Sequence, residues 1–314
     1  MRHLIAVLIF TCCWPISSPS GFAAERFIVM TPGPSVPYTP LLYGLDAGFF
    51  KDQGLDVQAV AVRAGQVAIA SLVSGEVDII TQAGTAVAAA IRGLPVKIIL
   101  VSSDRPNHEL LAAPNIKTSQ DLKGKSIGLG SLEGTGGIIV RRILQAKGLN
   151  PDTDVSFISM GTEVRLHALM SGTIAAAMLT PPYTFLASDH GCITLGKGKD
   201  YVRYLTEGVV TSNTKVTQKR PSLIRFLKGW NKGVSYYRAN PGVMVPYIQK
   251  KFGIADRELA RRMYEYDSMN RLNNGEIDHS AMTEILDIAK QTMKTKTPFT
   301  ANQLFDFSLL EEAK

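Results

Sequence analysis

The sequence predicts an α/β fold of two similar lobes, each with a mainly parallel sheet and flanking helices, and a cleft between them. The chief observation is a long-range repeat. Gly54-Leu55-Asp56-Val57, Gly65 and Ser74-Gly75 punctuate a strand, a helix and a further strand, and the same order recurs at Gly148-Leu149, Gly161 and Ser171-Gly172. The three glycine pairs are offset by 94, 96 and 97 residues. That period is too long for a solenoid unit, whose repeats run to about 50 residues, and it suits two related α/β lobes. A second observation is the alternation of short apolar runs with helical patterns, which implies parallel pairing and right-handed crossovers. The third is material: 314 residues, 45% of them hydrophobic, suffice for about two domains.

Phe27 to Met30 reads as the first strand, followed by a Pro-, Gly- and Ser-rich loop from Thr31 to Tyr38. Leu41, Leu42, Leu45, Phe49 and Phe50 recur at roughly helical spacing and predict a helix from Thr39 to Lys51, with Gly54 as its stop. Val57 to Val62 is the next strand. Gly65-Gln66 opens a helix that ends at Gly75, Val77 to Ile80 is a strand, and Thr81 to Thr85 leads into an Ala-rich helix to Ile91. Val96 to Val101 is a nearly continuous apolar run, the pattern of a buried parallel strand. The second lobe opens at Asp121 to Lys125. It continues through the strand Ser126 to Leu129, the loop Gly130 to Gly137, a helix to Lys147, the strand Val155 to Ile158, a helix from Thr162 to Met170 and the strand Ile174 to Leu179. From Val209 the chain is expected to cross back. The remainder is helical, over Leu223 to Tyr237, Val243 to Phe252, Asp256 to Tyr266 and His279 to Met293, with no periodicity that fixes which lobe these helices cover. The expected division is 25–111 with 208–314 for lobe one and 112–207 for lobe two, hinged near Ala112 and Gly208.

The N-terminus has the order of a secretory signal: Arg2 and His3, an apolar stretch from Leu4 to Trp14, then small residues to Ala24. Residues 1–24 are therefore expected to be removed and the mature protein to be periplasmic or extracytoplasmic. The apolar stretch is shorter than the span of about 20 residues that a membrane requires. Cys12 and Cys13 open an alternative, acylation of a retained cysteine, but Ile9-Phe10-Thr11 lacks the small residue expected before such a site. After cleavage Cys192 is the only cysteine, so no intramolecular disulfide is expected. The net charge of +7 falls to +6 with the loss of Arg2. Lys215 to Lys228 and Arg257 to Arg262 read as solvated helix faces, and no compact basic and aromatic motif accompanies the charge, which argues against a nucleic-acid partner.

Ligands of open parallel sheets bind beyond the carboxyl ends of the strands. That rule selects Ser35, Tyr38, Gly65, Gln66, Gly84 and Thr85 in lobe one, and Ser131, Thr135, Gly136, Thr180 and Tyr183 in lobe two. These loops carry hydroxyls, amides and glycines at helix starts, which suit small anionic or polar ligands. Gly130-Ser131-Leu132-Glu133-Gly134-Thr135-Gly136-Gly137 is the sharpest of them, as an oxyanion-holding turn; the alternative is a βα turn without ligand. It is not a P-loop, because Ile138 follows the last glycine where Lys is needed, and its glycines are spaced one residue too far apart for a dinucleotide fingerprint. Gly65-Gln66 and Gly84-Thr85 also read as plain helix caps, and Tyr38 and Tyr183 as packing residues. Glu76 and Asp78 at a strand start read as solvent or turn residues. The five histidines lack metal-ligand spacing and no G-x-S-x-G elbow is present, so no catalytic residue, metal or cofactor is expected. Arginine enters the neighbourhood of these loops only through Arg63 and Arg165.

Tyr43-Gly44, Ala47-Gly48-Phe49-Phe50-Lys51, Gly54-Leu55-Asp56-Val57, Leu72-Val73-Ser74-Gly75-Glu76-Val77-Asp78, Asp121-Leu122-Lys123-Gly124-Lys125 and Asp306-Phe307-Ser308 resemble the nitrate/sulfonate/taurine-type ABC-transporter solute-binding proteins. These share a fold with fungal thiamine-pyrimidine synthases, within the periplasmic-binding-protein type II superfamily. The resemblance runs from about Phe27 to the end and implies a non-enzymatic, monomeric subunit that closes on a small solute and delivers it to a membrane permease. Thr173-Ile174-Ala175 departs from the acidic residue often found after the β-branched position. The synthases' cysteine-rich motif and histidine context are missing, which sets the chain apart from the enzymatic relatives. A synthase-like enzyme and a ligand-sensing receptor remain the alternatives on this scaffold.

Overall fold

The computed structural model describes residues 24–33, 35–62, 64–130, 132 and 135–314. The expected signal segment up to residue 23, with Cys12 and Cys13, lies outside the described residues, as do Arg63 and Ser131.

In chain order the first half supplies β1 (Glu25–Thr31), α1 (Thr39–Asp46), β2 (Leu55–Ala61), α2 (Gly65–Ser74), β3 (Ile79–Ile80), α3 (Ala83–Ile91) and β4 (Val96–Ser103). Next come β5 (Glu109–Ala112), β6 (Lys125–Leu129), α4 (Thr135–Ala146), β7 (Val155–Ser159), α5 (Thr162–Met170), β8 (Ala176–Leu179), α6 (Tyr183–Asp189) and β9 (Ile193–Lys197). The last part holds β10 (Glu207–Ser212) and the helices α7 (Asn213–Gln218), α8 (Arg220–Ala239), α9 (Pro241–Phe252), α10 (Arg257–Asn270), α11 (His279–Thr292), α12 (Ala301–Leu304) and α13 (Ser308–Glu312).

Two five-stranded sheets form, with orders β2-β1-β3-β10-β4 and β7-β6-β8-β5-β9. Position by position they carry the same plan, which is the repeat read from the sequence. Its glycines adopt left-handed backbone at equivalent ends: Gly54 and Gly148 at φ 72° and 78°, Gly75 and Gly172 at φ 88° and 74°. A side chain is disfavoured there, so glycine terminates each helix and turns the chain into the next strand.

The sheets are mixed. β1 pairs parallel with β2 and β3, and β6 with β7 and β8, but β10 and β5 run antiparallel to both of their neighbours. Each reversed strand enters from the other half of the molecule: a chain arriving at the carboxyl edge of a parallel sheet can join it only by running away from that edge. Val96 to Val101, expected to pair parallel, pairs with β10 instead, apart from one parallel bridge from Ile98 to Phe305. The expected boundaries also shift. Glu109 to Leu111 hydrogen-bond in the second sheet, and Glu207 begins a strand of the first. The chain therefore crosses between the sheets at residues 104–108 and 198–206.

Alternation of side chains along the strands separates two cores per sheet. Ile28 and Met30 face a cluster with α2, α3 and α11, while Phe27 and Val29 face one with α1, α8 and α13. In the second sheet Ile127 and Met178 pack on α4, and Ala177 and Leu179 on α5 and α6. The C-terminal helices, unplaced by sequence, mostly cover the first sheet; α9 and α10 form a further cluster around Tyr237 and Tyr264. Asp78, read as a solvent or turn residue, and Lys215, read as part of a solvated helix face, are instead buried against each other at 2.7 Å. No helix among the described residues is long and apolar enough to cross a membrane.

Candidate ligand-binding cleft

The loops that follow the parallel strands and the starts of β5 and β10 meet at one boundary between the sheets, and two cavities open there. The larger, about 940 Å³, is lined from the first sheet by Tyr38, Gln66, Gln82, Gly84 and Thr85, from the second by Thr135, and from the crossing segment by Tyr204, Leu205 and Thr206. The smaller, about 410 Å³, has Ser35, Val36 and Pro37 on one side and Pro181, Pro182 and Tyr183 on the other, closed by Tyr266, Asp267 and Asn270 of α10 and by Arg271 just past its end. Thr206 borders both.

The structure thus brings Tyr38, Gln66, Gly84, Thr85 and Thr135 to one space, and Ser35 and Tyr183 to the other. Gly65 abuts Thr85: a Cβ on Gly65 would stand 2.7 Å from the Thr85 hydroxyl oxygen. Gly84 is needed where it is, since its Cβ would stand 2.5 Å from the Leu205 carbonyl oxygen, locking the start of α3 onto the crossing segment. Gly136 lies beside His108 at the start of α4. Thr180 lines neither cavity; its carbonyl accepts from the amides of Tyr183 and Thr184 and shapes the turn into α6. Tyr38 is buried, and burial next to the Glu207 carboxylate raises its phenol well above the usual range. Its ring is a wall of the cleft, and Tyr183 does not share its cavity.

Several site residues escaped the sequence reading. Arg271 is buried, pairs with Asp267 at 2.8 Å and Glu207 at 3.7 Å, and donates to the Pro37 carbonyl. Burial works against its charge, but Asp267 and Glu207 hold the guanidinium protonated. Glu207 itself is pushed up to about 8 by burial, with Arg271 opposing and Asp267 adding to the shift. Asp267 in the last turn of α10 and Arg271 just past its end stand at i, i+4, a spacing that signals a pair but not its burial.

Polar atoms without partners concentrate at this boundary. Among the described residues the orphaned buried atoms include Thr81 Oγ1 and Gln82 Oε1 after β3, His108 Nδ1 before β5, Thr184 Oγ1 after β8 and Glu207 Oε1 at the start of β10. An unmade hydrogen bond at a buried group costs about 1–3 kcal/mol, so such a set at one place marks where solvent or a ligand completes the structure.

Solved structures share this architecture. The periplasmic sulfonate-binding protein SsuA of Methylobacillus flagellatus KT superposes with a TM-score of 0.75 at 18% identity, covering 93% of this chain and 94% of that one. The periplasmic aliphatic sulphonate binding protein SsuA of Escherichia coli does so with a TM-score of 0.74 at 15% identity, covering 88% and 94%. Two α/β sheets of the same plan, joined by two crossing segments beside a cleft, therefore define a periplasmic-binding-protein fold. Residues 36–243 match the family described as NMT1/THI5 like, and the chain belongs to that family. A protein of Brucella abortus named only as a binding protein is 24% identical over 209 residues, and the match spans 65% of this chain and 65% of that relative.

Proposed function

We propose that this chain is the extracytoplasmic solute-binding subunit of an ABC importer, which closes on a small anionic or polar organic solute of the sulfonate, taurine or nitrate type and hands it to a membrane permease. The observation that carries this reading is the gathering of orphaned buried polar atoms from both sheets at one boundary. The sulfonate-binding names of the similar structures support the solute class. In this reading the protein acts as a monomer, residues 104–108 and 198–206 are the hinge about which the lobes rotate, and Tyr38, Gln66, Gly84, Thr85, Thr135 and Gly136 reach the solute. Residues 1–24 direct export and are cleaved.

A ligand that binds only the folded state stabilises it by mass action, by about 2.7 kcal/mol at a hundredfold excess over Kd, and so raises the melting temperature. A thermal-shift panel of alkanesulfonates, taurine, nitrate and aromatic carboxylates should contain at least one compound that stabilises the protein in a concentration-dependent way. A flat response across the whole panel from folded protein would sink the reading.

A further inference from the structure

A third cavity, about 310 Å³, lies between β4, α8 and the segment 272–275, and of its lining residues only Arg271 also borders the cleft. Trp230, Val234 and Arg238 line it at a spacing of four, and Asn231 and Ser235 follow the same period, so one face of α8 forms a wall. Backbone holds the opposite wall in place. The Leu272 amide donates to the Ser102 carbonyl at 2.9 Å and the Val101 amide to the Gly275 carbonyl at 2.8 Å.

Ser102 is 5% exposed, and its Oγ has no hydrogen-bond partner among the described residues. Its direction follows from its neighbours along β4: Val101 packs with α3 and α11, whereas Leu100 packs with Trp230 of α8. The residue after Val101 therefore turns back to the α8 side, and Leu100 and Ser102 both line the cavity. A buried hydroxyl is costly to leave unpaired, so the partner of this one belongs in the cavity.

The charges there are of one sign. Arg238, Arg271 and Lys314 line the cavity and no Asp or Glu does. The Arg271 guanidinium is engaged with Asp267, Glu207 and the Pro37 carbonyl, and the Lys314 ammonium is shared between Glu276 at 3.1 Å and Glu311 at 2.5 Å. Arg238 is different: among the described residues it donates only to the carbonyls of Arg271 at 2.9 Å and Leu272 at 3.0 Å. Burial, and then the charge of Arg271, act against its own charge, with Asp267 and Tyr264 opposing them. A guanidinium nevertheless stays protonated in a protein, so an anion is the group that would complete it. Asn231, Ser235 and Asn273 add amide and hydroxyl groups that both donate and accept, the complement of ligand hydroxyls, while Leu100, Trp230 and Val234 offer apolar surface to its carbon chain.

We propose that this cavity is a second ligand site, separate from the solute cleft, for a small hydroxylated organic anion of the sugar-acid or sugar-phosphate class. Its anionic group meets Arg238, and one of its oxygen atoms accepts from Ser102 Oγ. The site stands independently of the solute-binding reading, because none of its ligand contacts lies in the cleft.

Tryptophan emission and calorimetry test it. Trp14 belongs to the expected signal, so in the exported chain Trp230 is the only tryptophan and reports on this cavity. Titration with gluconate or glucose 6-phosphate should give a saturable change in emission for at least one of them, while glucose, which lacks the charge, and hexanoate, which lacks the hydroxyls, should give none at the same concentrations. Arg238→Gln should weaken the responding anion by about 10- to 100-fold, and Ser102→Ala by about 3- to 10-fold. Without ligand, Ser102→Ala should leave the melting temperature unchanged or raise it, since it removes a hydroxyl that has no partner; this variant keeps the test decisive should Arg238→Gln not fold. A fall in melting temperature for Ser102→Ala would show that the hydroxyl is paired within the protein and overturn the site. So would neither emission change nor heat with any probe, glucose or hexanoate bound as well as the hydroxylated anions, or an anion bound equally by wild type and folded variants.

Discussion

Asp78 shows how far a residue's setting can depart from its neighbours in sequence. Its carboxylate accepts from Lys215 at 2.7 Å, Lys219 at 2.9 Å and the Ile28 amide at 2.8 Å, between β1, β3 and α7. Burial alone would raise this carboxyl, but Lys215, the Ile28 amide and Lys219 outweigh it and hold it below the ordinary value. A depressed carboxyl contributes stability that is present above the unfolded value of about 3.9 and lost as pH falls through the folded one. Asp78→Asn, which strands the buried Lys215 ammonium, should cost about 3–5 kcal/mol by urea denaturation near neutral pH. Glu207 behaves in the opposite sense. Its folded carboxyl keeps a proton that the unfolded chain releases, so stability should decline as pH rises from 4.5 to about 8. Glu207→Gln should flatten that decline in denaturation curves taken across the range; identical slopes would show that Glu207 is not its source. The site was only partly legible for the same reason. Loops after strands could be picked out by position, which selected Tyr38, Gln66, Gly84, Thr85 and Thr135, all lining one cavity. Glu207 and Arg271 look like ordinary surface charges in sequence, and only burial from other elements gives them their character.

Among the elements, the contact of α1 with α8 depends on absent side chains. A Cβ on Gly233 would stand 2.6 Å from the Pro40 carbonyl oxygen, which is backbone and cannot swing away. Alanine is the better helix former by about 1 kcal/mol, but the overpacking costs about 1–3 kcal/mol, so Gly233→Ala should be net destabilising in thermal unfolding. Gly242, in α9, has open space where its Cβ would go, and Gly242→Ala should be neutral or raise the melting temperature slightly. Opposite signs for two helix glycines separate packing from propensity. Most elements were legible because their periodicity and glycine stops agree: α5 spans Thr162–Met170, as its pattern predicts. The strand β5 was not. It has four residues, all buried, so no alternation marks it, and its partners lie on the far side of a crossing.

At the scale of the whole molecule, the two sheets look alike but are assembled differently. Every strand of the second sheet comes from the continuous stretch Glu109–Lys197, whereas the first sheet needs β10, where Val210 pairs with Ile80. One unit is thus nested inside the other. A fragment covering 105–206 should give a cooperative thermal transition by circular dichroism, and a fragment covering 24–104, which lacks the strand between β3 and β4 and the helices α8 and α13, should not; the reverse outcome would contradict the nesting. The order of events in folding follows from this. A chain emerging from its N-terminus cannot finish what it begins, because β1 to β3 must wait for a strand made after the whole inner unit. The inner unit closes on local contacts and sets early, and the outer one closes late, over a long loop whose entropy is lost only when β10 slots between β3 and β4. The last strand to arrive is also the one that fixes Glu207 and the crossing segment in place, so the ligand cleft is expected to be the last part of the molecule to acquire its native shape.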